Sequence, residues 1–124
     1  MSVVARRYFN VNSGKVKREN SLILLKNILM KTLTDVQVNI YLFGSWARNE
    51  EKRTSDIDIA LQSDEEIPIN KMVELRENIE ESMLPYHVDI VDLSKASPNL
   101  VENVMREGIM WKDCTNGFKV RKGL

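Results

Sequence analysis

The sequence predicts an α/β fold, a small β-sheet flanked by helices, and two observations predict it. Apolar residues recur at helical spacing in some stretches and alternate at a spacing of two in others. The two patterns also take turns along the chain, which calls for helices laid over a sheet. A chain of 124 residues makes one domain, and its 43% hydrophobic share supplies an ordinary core beneath 29% charged residues.

The elements follow in order. Residues 1–18 mix Gly, Asn, Ser and basic side chains and are expected to be loosely ordered, with at most a short element at Val3–Phe9. From Glu19 to Leu33, the spacing of Leu22, Leu25, Ile28, Leu29 and Leu33 predicts an amphipathic helix. Val36 to Phe43 alternates as a strand and ends at Gly44-Ser45, where a short helix is expected to begin. Ser55 to Leu61 alternates again, with Ile57, Ile59 and Leu61 on one face and Asp56 and Asp58 on the other. Pro68 opens a helix whose stripe is Met72, Leu75, Ile79 and Met83, and Pro85 stops it. Tyr86 to Val91 reads as a third strand. Ser97-Pro98 caps a last helix with Leu100, Val101, Val104 and Met105 on its apolar face, ended by Gly108. Ile109 to Trp111 reads as a short strand or a packed hook, and residues 113–124 as a polar tail. The domain proper is thus 19–112.

Composition excludes more than it selects. The 18 basic and 18 acidic residues cancel, so nothing in the balance demands nucleic acid or a membrane surface. Arg6, Arg7, Lys15, Lys17 and Arg18 make a basic beginning, and Lys119, Arg121 and Lys122 a basic end, read as solvated termini. Cys114 is the single cysteine, so no internal disulfide forms and a reducing, cytoplasmic setting is expected. No segment approaches membrane-spanning length.

The chemistry concentrates in Gly44-Ser45-Trp46-Ala47-Arg48 and Ser55-Asp56-Ile57-Asp58. Residues i and i+2 of a strand point the same way, so Asp56 and Asp58 project together. Such a pair is either a solvated strand edge or a cation site, and hard carboxylate oxygens suit Mg²⁺ or Mn²⁺. Gly44 has no side chain to hold a phosphate away from the backbone, and Ser45 adds a hydroxyl and the N–H groups of a helix start. Either feature alone would be unremarkable; together they describe a triphosphate held beside metal ions. Asp89 lies among apolar neighbours in its strand, where an acid must face a site or water. It would complete a three-carboxylate cluster and accept a proton from an attacking hydroxyl. Asp92, three residues on, points to the opposite face. Such a cluster beside a phosphate turn suits two-metal chemistry at phosphorus.

These motifs, with Val88-Asp89-Ile90-Val91-Asp92-Leu93, resemble the minimal nucleotidyltransferases of the DNA polymerase β-like superfamily. The resemblance covers about Glu19 to Trp111. It implies a mixed-sheet fold, Mg²⁺ (two ions, with Mn²⁺ a substitute) at Asp56, Asp58 and Asp89, and ATP at Gly44, Ser45 and Arg48. It also implies the antitoxin of a toxin–antitoxin pair that moves AMP onto a tyrosine of a HEPT-type helical toxin, in a hetero-oligomer. The chain departs from the pattern at Asn49, where a glycine is usual; Asn tolerates left-handed backbone better than most residues.

Several residues carry two readings. Arg48 either ties its turn to an acid or contacts nucleotide. Trp46 either packs in the core or stacks near a base. His87 shares the face of Asp89 and is read as an exposed strand histidine. Lys52 and Arg53 are read as solvated. Two other functions stay open: a non-catalytic module that neutralises its partner by binding, and transfer to a small molecule or an RNA end.

Overall fold

The computed structural model of the chain describes residues 13–113. The expectations for Val3–Phe9 and for the tail from Cys114 onward lie outside the described residues. Helix α1 spans Ser13–Thr32, so it starts ahead of Glu19 and residues 13–18 of the stretch expected to be loose are helical. Strand β1 (Asn39–Phe43) leads to β2 (Ile57–Gln62), helix α2 (Ile69–Glu80) and strand β3 (Val88–Asp92). A 3₁₀ turn at Leu93–Lys95, helix α3 (Pro98–Glu107) and strand β4 (Ile109–Lys112) complete the order.

The four strands form one mixed sheet in the order β3-β2-β1-β4. The β1–β2 and β1–β4 pairs are antiparallel, and β2–β3 is parallel across the α2 connection. Helices α1 and α2 cover one face. Leu25, Leu29 and Leu33 are wholly buried there with Ile40, Ile57, Ile59, Leu61 and Leu75. Each such side chain contributes about 1.5–3 kcal/mol by leaving water, so packing, not intrinsic propensity, holds α1. The other face carries Tyr41 and Ala60, covered by Val104 of α3. That second cover explains why Asn39 and Tyr41 are buried although they alternate with the main apolar set of β1. Their polar groups are satisfied at Gln62 Oε1, which accepts from Asn39 Nδ2 at 3.1 Å and from Tyr41 Oη at 3.0 Å.

Helix α2 stops short of the expected Leu84, and Met83 is exposed, not part of its buried stripe. Ser82 is the reason: its hydroxyl donates to the Ile79 carbonyl at 2.6 Å and accepts from the Leu84 N–H, which turns the chain before Pro85. Helix α3 keeps its expected bounds. Ser97 Oγ accepts from the Leu100 N–H at 3.2 Å, Pro98 takes the first turn, and Gly108 follows the end. Lys112 Nζ donates to the Leu33 and Val36 carbonyls at 3.1 and 3.2 Å, tying β4 to the chain leaving α1. Among the described residues no helix is long and apolar enough to cross a membrane.

Candidate active site

Sheet register assembles the site. Phe43 at the end of β1 faces Asp58 near the start of β2, and Asp58 faces Asp89 near the start of β3. One row across the sheet therefore brings together residues distant in sequence. Asp56 lies just before β2, two residues from Asp58, and its charge acts on the Asp58 carboxyl. Gly44 stands one residue beyond the row, at φ 78°. A Cβ built on Gly44 would overlap the Asp58 carboxylate. The turn backbone and the central carboxylate are thus in direct approach, as a site joining phosphate and cation requires.

Beyond Gly44 the expected short helix is a single tight turn. The Ala47 and Arg48 N–H groups both donate to the Gly44 carbonyl, at 3.1 and 3.2 Å, and the Glu50 N–H donates to the Ser45 carbonyl at 2.8 Å. Too few residues are stacked for a helix dipole, so an anion placed here would meet only individual N–H groups and the Ser45 hydroxyl. Asn49 closes the turn at φ 59°. Among the described residues it is the one non-glycine in the left-handed region, which accounts for a glycine-like position filled by Asn. Asn49→Ala is expected to cost about 1 kcal/mol, and Asn49→Gly to cost nothing or gain a little, in chemical denaturation.

The carboxylates differ in environment. Asp56 and Asp89 are exposed, whereas Asp58 is partly buried. Burial first, then the neighbouring Asp89 and Asp56 charges, push the Asp58 carboxyl above its ordinary pKa, and Arg48 opposes the rise. Asp56 Oδ2 lies 3.4 Å from His87 Nδ1. Among the described residues no three acids or imidazoles stand at mutual metal-ligand spacing. The donors nonetheless fit Mg²⁺ in kind: hard oxygens from one sheet corner whose mutual repulsion a divalent cation would relieve.

The remaining candidates separate cleanly. Asp92 accepts from the Ser94 N–H at 3.0 Å and caps the 3₁₀ turn, a structural duty away from Asp89. Arg48 reaches Glu50 at 3.0 Å and Glu107 at the end of α3 at 3.3 Å, the tie that one of its readings anticipated. Trp46 is buried in the core and donates through Nε1 to the Ser55 carbonyl at 3.3 Å. A groove of about 760 Å³ lies on the α1 side, bordered by Arg18, Leu22, Trp46, Tyr86 and Trp111, and none of the three aspartates lines it. The sequence reading missed Arg18 and Glu51, which pair at 2.6 Å across 33 positions; no local pattern announces a contact of that span.

Comparison with known proteins matches residues 24–113 to the family described as polymerase beta, nucleotidyltransferase. The chain belongs to this nucleotidyltransferase family. A Methanocaldococcus jannaschii protein provisionally named a protein adenylyltransferase is 32% identical over 99 residues, 80% of this chain and 97% of its own. The protein adenylyltransferase MntA of Shewanella oneidensis is 37% identical over 68% of this chain and 63% of its own length. Among solved structures, a chain of a toxin–antitoxin complex with AMP-PNP is 34% identical at a TM-score of 0.59, covering 71% of this chain and 73% of that one. A chain from a tri-AMPylated Shewanella oneidensis HEPN toxin in complex with MNT antitoxin gives 30% and 0.55, covering 78% and 76%. Family membership makes the mixed sheet and the enzymatic class firm. The matched span contains Gly44, Asp56, Asp58 and Asp89 together.

Proposed function

We propose that this chain is a Mg²⁺-dependent protein adenylyltransferase. It moves AMP from ATP to a tyrosine hydroxyl of a HEPT-type helical toxin in the cytoplasm and so acts as that toxin's antitoxin. The observation that carries the reading is the Asp58–Asp89 register pair, with Asp56 beside it and the Gly44 backbone against it. Relatives named protein adenylyltransferase, and similar structures described as toxin–antitoxin complexes, one with AMP-PNP and one with an AMPylated toxin, support the substrate and partner.

In this reading the turn at Gly44 and Ser45 holds the triphosphate through N–H groups and a hydroxyl. Arg48 lends positive charge at its edge. Asp56, Asp58 and Asp89 would hold Mg²⁺, which when bound neutralises charge developing on the phosphates. Asp89 takes the proton from the incoming hydroxyl. That oxygen bonds to the α-phosphorus, the bond from the α-phosphorus to the bridging oxygen breaks, and pyrophosphate leaves. Retention of all three carboxylates is what disfavours neutralisation by binding alone.

Label transfer tests the bond broken. The toxin should acquire label from α-labelled ATP and none from γ-labelled ATP. Label from the γ-position would make the enzyme a kinase, and label from neither would refute transfer to this partner.

A further inference from the structure

We propose that Arg18, acting through Trp46, is a positioning residue that fixes the nucleotide turn. The inference rests on the adenylyl-transfer reading and extends it to a side chain of α1 outside the three-aspartate cluster.

Trp46 is where three parts of the site converge. It belongs to the turn that begins at Gly44. Its indole Nε1 donates to the Ser55 carbonyl, one residue before Asp56, at 3.3 Å. Its ring meets Tyr86 edge-on, centroids 4.8 Å apart at 73°, and Tyr86 leads into the strand that carries Asp89. Shifting Trp46 would therefore move the phosphate turn relative to both carboxylate strands.

Arg18 holds Trp46 from α1 in two ways and the end of its turn in a third. Its Nη2 donates to the Trp46 carbonyl at 2.7 Å. Its guanidinium lies over the indole, with Cζ 5.5 Å from the ring centroid. Its Nε donates to Glu51 Oε2 at 2.6 Å, securing the far side of the same turn. The second Glu51 oxygen, Oε1, is buried without a hydrogen-bond partner among the described residues. Removing Arg18 would leave that carboxylate uncompensated and free the turn at both ends. A fork that donates in two directions while its charge sits over an indole is a task for Arg that Lys cannot perform.

The test compares the full chain with Arg18→Met, Arg18→Lys and Glu51→Gln. Hydrogen exchange is followed at the turn amides Ala47, Arg48, Asn49, Glu50 and Ser55, which are hydrogen-bonded within the loop. AMP-PNP affinity with Mg²⁺ is measured calorimetrically on the same samples. Both Arg18 variants are expected to exchange faster at these amides but not in α2, and to bind AMP-PNP roughly tenfold to a hundredfold more weakly. Glu51→Gln, which keeps the Trp46 contacts, should fall between them and the wild type. Should Arg18→Met fail to fold, Arg18→Lys and Glu51→Gln decide the matter. Variants that melt lower yet bind AMP-PNP as the wild type does would overturn the proposal, reducing Arg18 to a stability role. A wild type that binds no AMP-PNP would instead defeat the adenylyl-transfer reading, and the proposal with it.

Discussion

Asp58→Asn is expected to lower AMP transfer by on the order of a thousandfold while leaving the protein at least as stable at neutral pH. The catalytic loss follows from position: Asp58 stands between Asp89 and Asp56 and against the Gly44 backbone. The stability expectation follows from charge. Burial and the two neighbouring acids raise the Asp58 pKa above its ordinary 3.8. The folded protein therefore keeps this proton to a higher pH than the unfolded chain does. Stability contributed by the group falls as pH rises through the window between 3.8 and the raised folded value. Above that window the ionised carboxylate is a standing cost, which Asn removes. In EDTA the variant should melt at or above the wild-type temperature at pH 7, and the difference should shrink as pH approaches 4. Mg²⁺ with ATP should raise the wild-type melting temperature and leave the variant unmoved. A variant that melts well below wild type in EDTA would mean that Asp58 is a structural group.

Gly44→Ala has the second largest expected effect. The backbone at φ 78° disfavours any side chain by about 1–2 kcal/mol. The new Cβ would also overlap the Asp58 carboxylate, so either the turn or the aspartate must move. Displacement at this point separates the backbone proposed to hold the phosphates from the central carboxylate, and a loss of about a hundredfold in kcat/KM is expected. The melting temperature should fall as well, unlike that of Asp58→Asn. The pair of variants therefore distinguishes loss of a charge from loss of a geometry. Wild-type turnover by Gly44→Ala would show that the turn does not hold the triphosphate.

Local patterns made the element order legible. The Leu25, Leu29, Leu33 stripe, the Ile57, Ile59, Leu61 alternation and the Ser97-Pro98 cap each carry their own physical signature within a few residues. The closeness of Asp56 to Asp58 was legible in their spacing, although β2 begins at Ile57 and not at the expected Ser55, so the strand period does not reach Asp56. Strand order was not legible, since pairing depends on contacts between distant segments; the family resemblance implied a mixed sheet and no order of strands. The end of α2 escaped because Ser82 bonds back to Ile79, a local competition that apolar spacing does not register. The start of α1 at Ser13 escaped because its first residues carry polar and basic side chains and no apolar stripe. The short helix expected after Ser45 proved to be one turn, closed by Asn49 in left-handed geometry. The Arg18–Glu51 pair was illegible for the same reason as strand order: its meaning exists only once α1 and the turn are packed together.

The central claim is tested most directly by intact-mass measurement of the proposed partner, a HEPT-type helical protein, after incubation with this chain, ATP and Mg²⁺. The wild type and the Asp56→Asn/Asp58→Asn variant should be run in parallel. AMP-sized additions to the partner with the wild type, and none with the variant, are the predicted result. An unmodified partner that still forms a stable complex with the wild type would contradict the account and leave neutralisation by binding in its place.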